Sequence, residues 1–131
     1  MSAVVADTHS LIWFLMEPSR LSPAADAALR GAVASGIHLS AISIVEVVYL
    51  VEKSRLPQTA LERIRAELAA PSTALRVVAL DLAVAAKLAS VLRTEVPGMP
   101  DRIVAATALH LGLPLVSRDR RIRASSVETV W

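Results

Sequence analysis

Short apolar runs alternate along this chain with longer segments whose apolar residues recur at helical spacing. Ala3–Ala6 is short enough for a buried strand, whereas Ala25, Ala28 and Leu29 begin one face of a helix. Strands separated by helices pair in parallel, because each crossover returns the chain to the same end of the sheet. The alternation therefore predicts an α/β protein with three layers, α/β/α, around a mainly parallel sheet of about five short strands.

The same pattern predicts the bounds of the elements. Strands are expected at Ala3–Ala6, Ile37–Leu39, Leu75–Leu80, Leu113–Ser117 and Val127–Trp131. Helices are expected through Leu11–Met16, from Pro23 past Val33 to Gly36, from Ser40 or Ser43 to about Ser54, from Pro57, after Asp81, and from Pro100 to Leu111. The helix after Asp81 is expected to bury a stripe of Val84, Leu88, Val91 and Leu92, and Asp119–Ala124 is a turn or one helical turn.

Length and composition exclude several classes of protein. The 131 residues fit one domain, residues 1–131, and 54% of them are hydrophobic, which is too apolar for a disordered tail. The longest near-apolar stretch, Ala41–Val51, is shorter than the roughly 18 residues of a membrane span, and no basic segment precedes the first apolar run. We therefore expect a cytoplasmic protein without a membrane anchor. Cysteine is absent, so disulfides and thiolate metal sites are excluded.

The charges are unevenly distributed. The chain has 14 basic and 12 acidic side chains, a net charge of +2 and a pI near 9.7, a mild indication of an anionic partner. Four arginines surround Asp119 within six residues: Arg118, Arg120, Arg121 and Arg123. Only 3% of the residues are aromatic, so base stacking is not expected to dominate nucleic-acid binding.

Acidic residues follow the predicted strands. Asp7 and Asp119 come after the first and fourth strands, and Asp101 stands at the start of a helix. Each of these three also suits a helix cap or first turn. Glu46 is harder to explain by local structure, because its neighbours three and four residues away are Ile42, Ser43, Tyr49 and Leu50. An unpaired carboxylate in such a setting needs a partner or a cation.

These four acids are expected to meet, since the carboxyl ends of parallel strands lie at one edge of the sheet. Gathered carboxylates repel one another, and a hard divalent cation relieves that repulsion. Oxygen ligands suit Mg²⁺ or Mn²⁺, which could promote hydrolysis of a phosphodiester. The histidines lack zinc-ligand spacing, although His9 lies near Asp7.

Four stretches of the chain resemble, in order, the four motifs of PIN-domain nucleases. They are Asp7–Leu15 (DTHSLIWFL), Ser40–Val47 (SAISIVEV), Pro100–Leu109 (PDRIVAATAL) and Leu113–Arg123 (LPLVSRDRRIR), with Trp131 fitting the end of the pattern. The resemblance covers the whole chain, and the Asp-Thr-His start is most similar to VapC-type toxins of bacterial toxin–antitoxin pairs.

That resemblance implies an Mg²⁺- or Mn²⁺-dependent endoribonuclease that forms a homodimer and is blocked by a small antitoxin. Position by position, it implies that Asp7, Glu46, Asp101 and Asp119 are the catalytic, metal-binding acids. Thr8 and Ser117 would support them with hydroxyl groups. Arginines would position the RNA backbone electrostatically: Arg102, Arg118, Arg120, Arg121 and Arg123.

Two positions depart from the family pattern. Val45 stands where a tryptophan often precedes the glutamate, and Gly98-Met99-Pro100 stands where many relatives carry a further aspartate before Asp101. Neither departure removes one of the four acids, so we expect activity with altered loop shape and substrate choice.

Three other interpretations stay open at this point. A housekeeping RNA-processing nuclease would share the same acids. A phospho-receiver domain would use Asp81 after the third strand, but the only lysines, Lys53 and Lys87, fall on predicted helices rather than at a strand end. An interaction module without catalysis would use the acids only structurally.

Overall fold

The computed structural model describes residues 2–131, in which five short strands form one parallel sheet. The strands are β1 (Val4–Ala6), β2 (Ile37–Ser40), β3 (Leu75–Val78), β4 (Leu115–Val116) and β5 (Thr129–Val130). Their order across the sheet is β3-β2-β1-β4-β5, and every neighbouring pair is parallel. The central strand is therefore β1, with β2 and β4 on its two sides.

Helices connect the strands. They are α1 (Thr8–Met16), α2 (Pro23–Gly31), α3 (Ala41–Glu52), α4 (Gln58–Ala69), α5 (Leu82–Lys87), α6 (Met99–Leu111) and α7 (Arg120–Ala124), with 3-10 turns at Pro18–Arg20 and Leu88–Ser90. Gly112 ends α6 in the left-handed region, at a φ of 65°, as glycine does most easily. Within residues 2–131, no helix has the length and apolar composition that a bilayer crossing requires.

The alternation of side chains along the strands divides the core into two parts. Val4 and Ala6 pack with α1, α2, α3 and α4 on one face of the sheet. Val5 points to the opposite face and packs with residues of α5, α6 and α7. The sheet thus lies between two helical layers, which confirms the predicted three-layer α/β/α fold.

Several predicted elements are shorter in the structure. The third strand, expected over Leu75–Leu80, ends at Val78. Because β3 is an edge strand, Val77 remains 45% exposed and Leu80 47% exposed. The second helix ends before Val33, which is 50% exposed rather than buried. These apolar residues continue the sequence pattern beyond the point where a neighbouring element covers them.

The expected buried stripe after Asp81 is only partly formed. Helix α5 ends at Lys87 and tightens into the 3-10 turn, so Val91 is buried but Leu92 is 53% exposed. Arg102 of α6 explains this end, because its Nε donates to the Val91 carbonyl at 3.1 Å and its Nη2 to the Leu88 carbonyl at 3.1 Å. Arg102 therefore fastens the turn to α6 through the backbone.

We expect Arg102→Met to destabilise the protein by about 1–3 kcal/mol, because two partly buried carbonyls lose charge-assisted donors. Urea unfolding would show this loss as a lower midpoint at an unchanged slope. Arg121→Met is the matched control, since Arg121 is exposed and its side chain makes no hydrogen bond within residues 2–131. Equal midpoints for the two variants would contradict a structural role for Arg102.

Candidate active site at the carboxyl edge of the sheet

An open cleft of about 440 Å³ lies where β1 and β4 end. It is lined by Asp7, His9, Trp13, Glu46, Asp101, Arg118, Asp119 and Arg120. The four acids that the sequence singled out therefore border one cleft, although they come from four different parts of the chain. The parallel sheet produces this arrangement, because it carries the ends of its strands to a common edge.

Two of the acids also cap helices. Asp7 directly follows β1, and its Oδ1 accepts a hydrogen bond from the Ser10 backbone N–H at 2.9 Å. Asp119 caps α7 in the same way, with its Oδ1 accepting from the Arg121 and Ile122 N–H groups at 2.9 and 3.0 Å. Capping fixes one carboxylate oxygen of each residue. The second oxygen of each makes no hydrogen bond to residues 2–131 and remains available to a ligand.

Glu46 is held from the side by hydroxyl groups. Thr8 is 3% exposed and donates from its Oγ1 to Glu46 Oε1 at 2.6 Å. The Oγ of buried Ser43 lies 2.9 Å from the same Thr8 oxygen. Ser43 precedes Glu46 by three residues, so both lie on one face of α3. This short network orients the Glu46 carboxylate and leaves its Oε2 without a partner in the described residues.

Asp101 is the least compensated of the four acids. It lies in the first turn of α6 and accepts no hydrogen bond within residues 2–131. Burial raises its pKa from 3.8 to about 6, and the charges of Asp119, Glu46 and Asp7 act in the same direction, while His9 lowers it. The raised pKa thus reflects burial first and the neighbouring negative charges second.

The cleft acids are not neutralised by the nearby arginines. Within residues 2–131, the side-chain ion pairs are Arg30–Asp26 and Arg63–Glu67, both on helix surfaces. In the same residues, no three acidic or histidine side chains are already grouped closely enough to hold a metal ion. The carboxylates thus surround the cleft without converging on a single point, as their repulsion would favour.

The other predicted site residues divide into two groups. Ser117 is fully buried, and its Oγ accepts from the Asp119 N–H at 3.1 Å, which supports the start of α7. Arg118 and Arg120 line the cleft. Arg121 and Arg123 are exposed on α7. Arg102 donates from its Nε and Nη2 to the backbone carbonyls of Val91 and Leu88, so its guanidinium is engaged in the fold.

Two residues at this site were not predicted from the sequence, Ser43 and Trp13. Ser43 could have been found from its spacing of three residues before Glu46. Trp13 lies in the first motif but was not assigned a role, and it lines the cleft beside His9. The two rings are tilted at 47° with centroids 5.7 Å apart. Helical spacing i, i+4 from His9 to Trp13 was the available signal.

Comparisons with known proteins show which family this chain belongs to. The sequence profile of the PIN domain matches residues 4–127. The chain belongs to the PIN domain family. It is 37% identical to Ribonuclease VapC22 of Mycobacterium tuberculosis, over 100% of both chains. Family membership confirms the resemblance drawn from the four motifs.

Solved structures of low sequence identity share the PIN domain fold. VapBC2 from Rickettsia felis, in a crystal structure bound to a promoter DNA fragment, aligns with a TM-score of 0.72 at 17% identity, over 98% of this chain and 97% of that chain. A toxin–antitoxin complex from Klebsiella pneumoniae aligns with a TM-score of 0.65 at 23% identity, over 98% and 96%.

The phospho-receiver interpretation is wrong for this PIN domain. Asp81, its required phosphoacceptor, is not among the residues that line the cleft. Its Oδ1 accepts from the Val84 N–H at 3.0 Å and caps α5. The residue is a helix cap beside an edge strand, at a distance from the central strand β1.

The raised pKa of Asp101 predicts a pH-dependent loss of stability. The folded state holds this proton more tightly than the unfolded chain, so the free energy of unfolding falls as pH rises from about 4 to about 6. Asp101→Asn removes this loss. Allowing for solvent screening, we expect the variant to gain on the order of 1 kcal/mol over wild type across that window. Urea unfolding in EDTA measures it, and parallel pH curves would refute it.

Proposed function

We propose that this chain is an Mg²⁺- or Mn²⁺-dependent endoribonuclease and the toxin of a toxin–antitoxin pair. The observation that carries the proposal is the open cleft bordered by four carboxylates that lack cationic partners within residues 2–131. RNA as substrate is supported by 37% identity to a protein named as a ribonuclease, over the full length of both chains. We treat residues 1–131 as one such domain, acting in the cytoplasm.

The donor set fits a hard divalent cation in its chemistry. The free oxygens of Asp7, Glu46, Asp101 and Asp119 would hold the ion, since Mg²⁺ and Mn²⁺ prefer carboxylate oxygen and retain water. When bound, the cation supplies positive charge that activates water and stabilises the phosphodiester during cleavage. Asp101 gains most from this charge, because its own negative charge is the least compensated.

The remaining chemistry is positioning by this chain. Thr8 holds Glu46 through Oε1, and the capping bonds hold Asp7 and Asp119, so three of the four acids are oriented before RNA binds. The oxygen of an attacking water forms a bond to phosphorus, and the bond from phosphorus to the 3′-oxygen breaks. The water gives up a proton and the leaving 3′-oxygen takes one up through the solvent of the open cleft, so the products are a 5′-phosphate and a 3′-hydroxyl.

Arginines at the cleft would hold the RNA backbone. Arg118 and Arg120 line the cleft and are exposed, so their guanidinium groups can reach phosphates. Arg121 and Arg123 extend the positive charge along α7. We leave Arg102 out of this set, because the α5–α6 connection already uses its guanidinium.

An antitoxin and a second copy of this chain are the proposed protein partners. Complexes of toxin with antitoxin are among the solved structures that share the fold. Large apolar side chains are exposed on α3 and α6, among them Val45, Tyr49 and Met99, which are 52–59% exposed, and Val45 and Tyr49 line a pocket together with Pro100. Such a surface marks a protein interface, and we assign it to the homodimer.

A housekeeping RNA-processing nuclease is the second candidate, and a module without catalysis is the third. Neither alternative has an observation in its favour. Full-length similarity to a VapC protein supports the toxin. Four unpaired acids in an open cleft support catalysis over a purely structural role.

Asp101→Asn is expected to lower metal-dependent RNA cleavage by about 100-fold or more, the scale at which one charged group of a preorganised site acts. Asparagine keeps the size of the side chain and removes only its charge. Cleavage of a labelled RNA is measured with Mg²⁺, with Mn²⁺ and with EDTA, in buffers of defined metal content.

Asp81→Asn is the matched control for that experiment. It makes the same chemical change at a helix cap that does not line the cleft, and asparagine caps helices about as well as aspartate. Its activity should equal that of the wild type. Equal activity of the Asp101 variant, or full activity of wild type in EDTA, would refute the proposed site.

Expression of the chain alone should arrest growth, and coexpression of a short neighbouring reading frame should relieve the arrest. The copurified complex should have a mass, by light scattering, that contains an even number of copies of this chain. Normal growth on expression of the active enzyme would favour the housekeeping nuclease, and an odd number of copies would contradict the homodimer.

A further inference from the structure

Four side chains lie around the Trp13 ring beside the cleft. Its ring is 9% exposed and contacts the rings of His9 and Trp131, with centroids 5.7 and 5.9 Å away. Two guanidinium groups also lie over it. Arg20 Cζ is 4.8 Å from the ring centroid and Arg118 Cζ is 6.0 Å from it. The indole thus brings two cations from distant parts of the chain to the same ring.

Neither cation is neutralised. The side chains of Arg20 and Arg118 make no hydrogen bond and no ion pair with residues 2–131. Both residues are exposed, so their N–H donors are open to solvent. A cation–π contact orients a guanidinium over a ring and leaves its edge donors free. The ring therefore fixes where the two charges lie without consuming the groups that would bind an anion.

The two charges differ in their position relative to the acidic cleft. Arg118 also lines the acidic cleft, whereas Arg20 lies outside its lining, on the turn after α1. The two arginines therefore extend positive charge from the cleft to the surface beside it.

We propose that Arg20 and Arg118, arranged on Trp13, bind one backbone phosphate of the RNA strand next to the bond that is cleaved. The inference rests on the proposed function and deepens it, since it specifies the path that the RNA strand takes away from the acids. Phosphate suits the planar donor forks of two arginines, each of which can bind an anion in a bidentate manner.

A phosphate, rather than a base, is the group that this site recognises. The Trp13 ring is almost buried and is occupied by Arg20, Arg118 and its two aromatic neighbours, so it offers little free face for stacking a base. Phosphate contacts fix position and carry no sequence information. The site should therefore act alike on RNAs of different sequence.

The test measures RNA binding without cleavage. Fluorescence anisotropy follows a labelled single-stranded RNA and the full chain in EDTA, over a range of KCl concentrations. Arg20→Gln is expected to weaken binding about tenfold at low salt and to reduce the slope of log affinity against log salt by about 0.7, the value for one phosphate contact on a single strand. Arg20→Lys should restore the slope, because it keeps the charge.

Arg63→Gln is the matched control, because it removes the same charge from an arginine that pairs with Glu67 on α4 and does not line the cleft. It should leave the slope unchanged. The effects of Arg20→Gln and Arg118→Gln should be non-additive, since both residues hold one phosphate. Additive effects would contradict the shared site.

Separate outcomes distinguish this inference from the proposed function. If wild type cleaves RNA but Arg20→Gln binds RNA like Arg63→Gln, the phosphate site is wrong and the nuclease stands. If wild type does not cleave RNA but Arg20→Gln still changes the salt slope, the phosphate site stands and the nuclease is wrong. Unchanged RNA binding with a weaker antitoxin complex would overturn the inference and assign the pair to the protein partner.

Discussion

Repulsion among carboxylates at one edge of a parallel sheet is the constraint around which this site is built. Three parallel strands, β2, β1 and β4, end side by side, and the acids that follow them border a common cleft. Burial, together with the charges of the neighbouring carboxylates, raises the pKa of Asp101 to about 6. The fold tolerates this charge because the cleft is open to water, and a cation would remove the cost altogether. The sheet therefore brings the carboxylates together and creates the repulsion among them that a bound cation would relieve.

Structural and functional roles are combined in single carboxylates. Asp7 and Asp119 each satisfy the exposed N–H groups at a helix start with one oxygen, and the second oxygen is left for a ligand. Glu46 divides its oxygens in the same way between Thr8 and the cleft. A helix cap and a metal ligand are thus compatible descriptions of one residue. The capping bonds also orient the free oxygen, since a carboxylate with one oxygen fixed has little freedom left.

Local pattern was sufficient to predict the layers, the parallel pairing of the strands and the edge where the acids meet, but not the order of the strands across the sheet. The network of Thr8 with Glu46 was not predictable, because it joins residues 38 positions apart that meet only when β1 and β2 pair. Arg102 shows the same limit, because it was expected among the RNA-positioning arginines, yet its guanidinium donates to the carbonyls of Val91 and Leu88. The apolar periodicity of the sequence also does not show where neighbouring elements stop covering a helix face, as the exposed Leu92 illustrates.

The arrangement of acidic and basic residues around the cleft determines which ligands the site attracts. Within residues 2–131 the cleft acids form no ion pair, and neither do the arginines around them, including Arg20 and Arg118 on the Trp13 ring. Pairing these groups with one another would have satisfied the charges and closed the site. Keeping them apart leaves an acidic interior that attracts a cation and a basic rim that attracts a polyanion. If a metal compensated the four acids, the 14 basic side chains would outnumber the remaining acids, so a net charge of +2 is compatible with the polyanionic substrate that we propose.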